Sequence, residues 1–194
     1  MSGMRVVSRP LVPGLVAERP TDQGFLDVVI YRQLRELVGE SPHAVDVEAT
    51  RVVVCDRAHV VAALEELAAD CHLIFARRGG RERGRNDGLR YHSHYLVPVV
   101  GLGDTEGWPL ADPAVWAGLT GSDPARLPAR PGDVERITDP REALAATVPR
   151  RGRSAGDYFH YIGRTIDLAV LAQVPGYAGW VAETRNALKG LGYL

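Results

Sequence analysis

The chain lacks the features that mark several specialised classes of protein. It has two cysteines among 194 residues, Cys55 and Cys71, too few for a disulfide scaffold or for a zinc site built from cysteine ligands. No stretch reaches the roughly 18 consecutive apolar residues of a membrane span, and the first residues do not lead into an apolar signal core. We therefore expect a soluble, cytoplasmic protein that has no membrane partner.

Lysine is almost absent, because Lys189 stands alone beside 22 arginines. The formal net charge is −1, but residues 77–90 contain six arginines against two acidic residues, and residues 150–164 contain four against one. A mildly acidic chain with two basic segments can attract anions locally without binding polyanions everywhere. A coding bias toward arginine accounts for part of this pattern, so each single arginine carries less weight.

The length fits one domain with a sizeable core, and its first hundred residues alternate between strand-like and helix-like patterns. The predicted elements are helices over residues 22–39 and 57–70 and strands over residues 51–55, 73–76 and 96–100. Asp56 is the expected N-cap of the second helix. The stretch Pro10–Pro20 is expected to form turns, and the Gly-rich interval before residue 96 to form a long hairpin loop. Pro98 indicates a sheet edge or a strand end.

The second half of the chain has a different texture. Residues 101–135 are rich in Gly, Pro and Asp and predict an irregular loop region with one short helix near residues 113–119, suited either to a lid or to an inert surface covering. Residues 136–194 predict a mainly helical closing segment, with helices near residues 138–148, 155–173 and 177–188. The predicted fold class is α+β: a mixed or mostly antiparallel sheet of four to five strands, packed by helices, with a C-terminal helical segment.

The arginine-rich segment that follows residue 76 predicts an anion-binding loop. Its glycines allow backbone N–H groups to turn toward one point, and guanidinium groups bind phosphate or carboxylate with two parallel hydrogen bonds. The residues expected to hold an anionic substrate are Arg78, Arg81, Arg83, Arg90 and, from the second basic segment, Arg164. The same composition also fits a solvated loop without a ligand, or a loop that contacts nucleic acid.

Two histidines follow this loop at a spacing that allows them to act together. Alternate residues of a strand share a face, so Arg90, His92 and His94 are expected to lie side by side. A His-x-His pair can bind a divalent metal ion such as zinc, manganese or iron, and it can equally provide metal-free acid–base chemistry. Ordinary polar residues on a half-exposed strand are the third interpretation.

A metal site would need a third ligand, for which His72 and His160 are the candidates. Within the predicted helix near the second basic segment, Tyr158 and His160 are the residues expected to assist catalysis. The same cluster of functional groups also fits a surface helix with aromatic anchors.

These observations favour a small soluble enzyme that acts on a small anionic metabolite, for example a phosphorylated one, by histidine-based or metal-assisted chemistry of the hydrolase or lyase type. The first alternative is a nucleic-acid-binding protein or nuclease that uses the arginine-rich loop. The second is a non-catalytic regulatory or structural subunit. A homo-oligomer is compatible with each of the three.

Overall fold

The computed structural model describes residues 8–77, 99–102, 105–149 and 155–194. Its strands are β1 (Arg9–Leu11), β2 (Pro13–Ala17), β3 (Val45–Val47), β4 (Arg51–Val54), β5 (Leu73–Arg77) and β6 (Val99–Leu102). Its α-helices are α1 (Pro20–Val38), α2 (Val60–Ala68), α3 (Pro113–Ala117), α4 (Pro140–Thr147), α5 (Ala155–Thr165), α6 (Leu168–Leu171) and α7 (Pro175–Gly190). Short 3₁₀ helices cover Arg57–His59, Thr105–Leu110, Pro124–Arg126 and Pro131–Arg136.

Every strand pairing in the described ranges is parallel. The larger sheet has the order β4-β2-β5-β6, and β1 pairs with β3 in a two-stranded sheet. The predicted mixed or mostly antiparallel sheet is therefore wrong. The predicted hairpin between β5 and β6 is wrong for the same reason, because parallel neighbours need a crossover rather than a tight turn.

The strands β1 and β2 follow one another with a single residue between them, and β3 and β4 run beside them. Leu11 pairs with Val47, and Gly14 pairs with Arg51. Between these two pairs, the chain that forms β1 and β2 has two residues, whereas the chain that forms β3 and β4 has three. This mismatch of one residue is a bulge that divides the two sheets. Residues 10–20, which were predicted to form turns, thus contain the strand that lies between β4 and β5.

A histidine side chain binds the backbone at this break. The Val12 N–H donates to Nδ1 of His72 at 2.9 Å, and the His72 N–H donates to the Val12 carbonyl at 2.9 Å. Val12 is 6% exposed, so its N–H has little access to water. The imidazole therefore provides the acceptor for this N–H group next to the start of β5.

Helices cover both faces of the sheet. Leu15 of β2 and Phe75 of β5 face a large apolar cluster with α1 and the C-terminal helices, whereas Val16 and Ile74 face a smaller cluster with α2. The packing of α2 is close, because a Cβ added to Gly14 would lie 3.3 Å from Cδ1 of Leu67 on α2 and 3.0 Å from Sγ of Cys71, which follows the helix. This arrangement explains the apolar character of β2 and β5 on both faces.

The region predicted to be an irregular loop contributes to the core. Trp108 and Trp116 are 1% and 0% exposed, and Nε1 of Trp116 donates to the Pro109 carbonyl at 2.7 Å. The Trp108 ring packs edge-on against Tyr177 of α7 at a centroid distance of 5.0 Å. Trp108 and Trp116 therefore belong to the core, together with Leu127 and Val134, whereas every other residue of 117–133 is half-buried or exposed.

Several local predictions are confirmed. The first helix ends at Val38 before Gly39, and Asp56 accepts hydrogen bonds from the N–H groups of Ala58 and His59. Among the described strands, β6 is the outermost of the larger sheet, and it begins directly after Pro98. The predicted helix over residues 155–173 is instead two helices, because Asp167 caps a new start at α6. None of the helices in the described ranges is long and apolar enough to cross a membrane.

Candidate functional site

The predicted site residues fall into two groups. Those of the arginine-rich segment and the His-x-His pair lie outside the described residues, so their roles in anion or metal binding stay predictions: Arg78, Arg81, Arg83, Arg90, His92 and His94. The others lie on α5: Tyr158, His160 and Arg164.

His160 and Arg164 line one groove between α1 and α5. They are four residues apart on the helix, which places both side chains on the same face, and both residues are exposed. The groove has a volume of about 490 Å³. Its lining consists of Asp27, Val28, Tyr31, Arg32, Ala49, Thr50, His160 and Arg164.

A close crossing of the two helices positions the walls of the groove. A Cβ added to Gly163 would lie 3.0 Å from the Phe25 carbonyl oxygen and 3.2 Å from Cβ of Val28. Only glycine permits this approach without moving α1, because the nearest obstacle is backbone. The residues that precede and follow Gly163 on α5 are consequently held next to the polar residues of α1.

Arg32 fixes the end of α5 to α1. Its Nη1 atom donates to the carbonyl oxygens of Gly163 and Ile166 at 2.7 and 2.8 Å. These carbonyls belong to the last turn of the helix, where backbone acceptors lack intrahelical partners and the helix dipole is negative. The hydrogen bonds of Arg32 therefore serve the structure, while its charge still contributes to the groove.

Among the residues that line the groove, Asp27 has the environment least favourable to its charged form. Its Oδ1 atom is buried and has no hydrogen-bond partner within the part of the chain that the structure describes. Burial raises the pKa of its carboxyl, and the backbone N–H of Val28 and the charge of His160 act in the opposite direction. An unsatisfied buried carboxylate costs stability, and such groups occur preferentially at functional sites.

Arg164 provides the unused positive charge. Among the described residues it forms no hydrogen bond or ion pair, in contrast to Arg32 on the facing helix. The Thr50 hydroxyl makes only a long contact of 3.4 Å with the Asp27 carbonyl. The groove is therefore lined by a guanidinium, an imidazole, a half-buried carboxyl and a hydroxyl group.

Two predicted residues do not line this groove. Tyr158 is 7% exposed and lies two positions before His160, which places it on another side of α5. His72 binds the Val12 N–H through Nδ1, and its ring packs edge-on near Tyr193 at 6.2 Å. No group of three or more potential metal ligands occurs among the described residues.

The carboxyl ends of the strands are a second place to look, because ligands of open parallel sheets often bind there. Arg19, which follows β2, and Arg141 of α4 both form ion pairs with Glu106. Burial alone would raise the pKa of Glu106, but hydrogen bonds from Arg141 and Arg19 lower it below its ordinary value. The adjacent cavity of about 50 Å³ is far smaller than a metabolite site, so this cluster is explained as a structural contact.

A third hollow, of about 540 Å³, lies between α4 and the segment after α3. Its charged residues, Asp123 and Arg126, pair with each other at 3.0 Å, so it offers little chemistry. The groove between α1 and α5 is therefore the candidate site. Comparisons with protein-family models, curated proteins and solved structures gave no match.

Proposed function

We propose that the protein is an enzyme that acts on a small anionic metabolite in the groove between α1 and α5. The observation that carries this proposal is that one groove brings together an imidazole, a half-buried carboxyl and a guanidinium that has no partner among the described residues. Arg164 binds the anionic group of the substrate. His160 transfers a proton to or from the reacting atom.

Each role follows from the chemistry of its residue. Histidine is the side chain best suited to exchange protons near neutral pH, and it serves as general acid or base in many enzymes. Guanidinium binds carboxylate and phosphate through two parallel hydrogen bonds. A groove of about 490 Å³ lies within the range of roughly 300–1,000 Å³ in which small-molecule sites fall.

A screen of small phosphates and carboxylates by thermal shift is the first step of the test. A ligand that binds the groove should raise the midpoint of unfolding, because it binds only the folded state. Arg164→Gln should abolish this shift. Arg136→Gln, which removes an exposed guanidinium paired with Asp133 at 3.0 Å, should leave it unchanged.

Turnover of the stabilising ligand is the second step. His160→Gln should lower kcat by about 100-fold or more, the usual contribution of a general acid or base. His59→Gln is the matched control, since His59 is an exposed histidine on the 3₁₀ helix before α2. The proposal fails if His160→Gln retains full turnover.

The predicted roles of His92 and His94 remain a separate proposal that the same assay addresses. A double His92→Ala, His94→Ala variant that loses turnover while His160→Gln keeps it would transfer the catalytic assignment to that segment. Loss of a bound divalent ion in the double variant, measured by metal analysis, would support the metal-assisted form of the chemistry.

A further inference from the structure

We propose that the ligand of the groove between α1 and α5 carries hydroxyl groups beside its anionic group, as a polyol phosphate does, and that Asp27 binds those hydroxyls. This inference rests on the proposed function and names the class of substrate. Its basis is the distribution of charge and hydrogen-bonding groups across the groove.

The groove contains one carboxylate and two guanidinium groups. Asp27 and Arg32 lie on α1, where Arg32 binds the carbonyls at the end of α5, whereas Arg164 and His160 lie on α5. An anionic group of the ligand is repelled by the Asp27 carboxylate and attracted by the Arg164 guanidinium. The ligand therefore binds in one orientation, with its anionic group toward α5 and a hydrogen-bond donor toward Asp27.

The net charge of the groove distinguishes two hydrogen-bond donors that a ligand could direct toward Asp27, an ammonium group and a hydroxyl group. Two guanidinium groups, those of Arg32 and Arg164, face one carboxylate, so the charge is positive even when His160 is neutral. An ammonium group of a ligand would be attracted by the Asp27 carboxylate but repelled by both guanidinium groups. A neutral hydroxyl donates to Asp27 without that penalty.

Other groups in the lining suit a polyol as well. The Tyr31 phenol and the Thr50 hydroxyl line the groove and can each donate and accept a hydrogen bond. Val28 and Ala49 provide small apolar contacts for the C–H groups of a sugar. An isolated phosphate ion would leave most of the volume and all of these groups unused.

Isothermal titration calorimetry of the full chain tests the inference. The probes are glycerol 3-phosphate, ribose 5-phosphate and glucose 6-phosphate, each compared with inorganic phosphate, and gluconate compared with acetate. We expect at least one polyol anion to bind about tenfold more tightly than its simple anion, since a hydrogen bond to a charged group contributes roughly that factor or more.

Substitutions then assign the preference to a residue. Asp27→Ala should remove the advantage of the polyol anion while the affinity for inorganic phosphate stays equal or rises, because a nearby negative charge is lost. Asp46→Ala, at an exposed position of β3, is the control and should change neither affinity. Circular dichroism of Asp27→Ala and of the isosteric Asp27→Asn confirms that each variant is folded.

The outcomes separate the inference from the proposed function. If no polyol anion binds more tightly than its simple anion, but Arg164→Gln abolishes the binding of both, the inference is overturned and the anion site stands. If Asp27→Ala keeps the preference, the role of Asp27 is overturned. If Arg164→Gln has no effect on any probe, both the inference and the proposed function fail.

Discussion

Replacement of His72 by phenylalanine isolates the hydrogen bond that the imidazole accepts from Val12, the residue between β1 and β2. The Val12 N–H donates to Nδ1 of His72 at 2.9 Å, and phenylalanine offers no acceptor at that position. Its ring can keep the edge-on contact with Tyr193, so the packing changes little. The variant thus leaves a backbone donor of a residue that is 6% exposed without a partner.

The magnitude follows from the cost of an unsatisfied buried donor. Such a group costs about 1–3 kcal/mol, and the lower part of that range applies because the hydrogen bond is only partly buried. We expect the free energy of unfolding to fall by about 1–2 kcal/mol. For a protein of this length that is roughly 2–8 °C in Tm. Urea unfolding followed by tryptophan fluorescence should show a lower midpoint with an unchanged m value.

His72→Asn is the matched control. Oδ1 of asparagine is bonded to Cγ, as Nδ1 of histidine is, so asparagine can still accept a hydrogen bond from the Val12 N–H. It should retain most of the stability lost in His72→Phe, although it loses the ring contact. Equal destabilisation of the two variants would refute the hydrogen bond as the source of the effect. If the protein binds a metal ion and both variants lose it, His72 would instead be a metal ligand.

Two further substitutions test the packing of the sheet and the cost of the candidate site. Gly14→Ala should lower the free energy of unfolding by about 1–3 kcal/mol, the usual cost of overpacking. Cys71→Ala should relieve part of that loss, because Sγ of Cys71 is the nearest obstacle at 3.0 Å. Additive effects of the two substitutions in a double-mutant cycle of urea midpoints would contradict this contact. Asp27→Asn should stabilise the protein at neutral pH, since burial raises the pKa of Asp27 in the folded state and the charged form therefore opposes folding. This advantage should shrink as the pH falls through the raised pKa, where the wild-type carboxyl becomes protonated, and a constant difference in Tm between pH 7 and pH 4 would exclude the explanation.

Helices and caps could be predicted because their causes are local. The apolar spacing before Gly39 and the carboxylate of Asp56 are both within one or two turns of the residues they affect. The strand β2 could not be recognised in this way. Pro10, Pro13 and Gly14 are typical of turns, but Pro13 is the first residue of its strand, and Gly14 is needed for the approach of α2.

The direction of strand pairing was also beyond local patterns. A run such as Leu73–Arg77 has the same composition whether its neighbour is parallel or antiparallel. The distinction depends on the connections, and the composition of the Gly-rich interval after β5 is typical of a hairpin loop. Recognition of β2 as a strand before α1 would have indicated successive strand–helix–strand units, for which a parallel sheet is the expected result.

Only the part of the candidate site that lies on α5 could be predicted from the sequence. His160 and Arg164 stand four residues apart on one helix, and this spacing is visible in the sequence. Asp27 lies between Leu26 and Val28 in a helix far away along the chain, and nothing local indicates that its carboxyl is buried. Its importance arises from the crossing of α1 and α5, which depends on Gly163 and on tertiary packing.

The same carboxyl links the stability of the protein to the proposed binding of hydroxylated anions. Burial of the charged carboxyl opposes folding, and Asp27→Asn is expected to remove the part of that cost that arises from the charge. If Asp27→Ala also abolishes the preference for polyol anions, the half-buried carboxyl serves ligand binding, and its cost in stability has a functional reason. If the substitutions stabilise the fold and leave every affinity unchanged, Asp27 is a structural defect of the helix crossing, and the hydroxyl groups must be bound elsewhere.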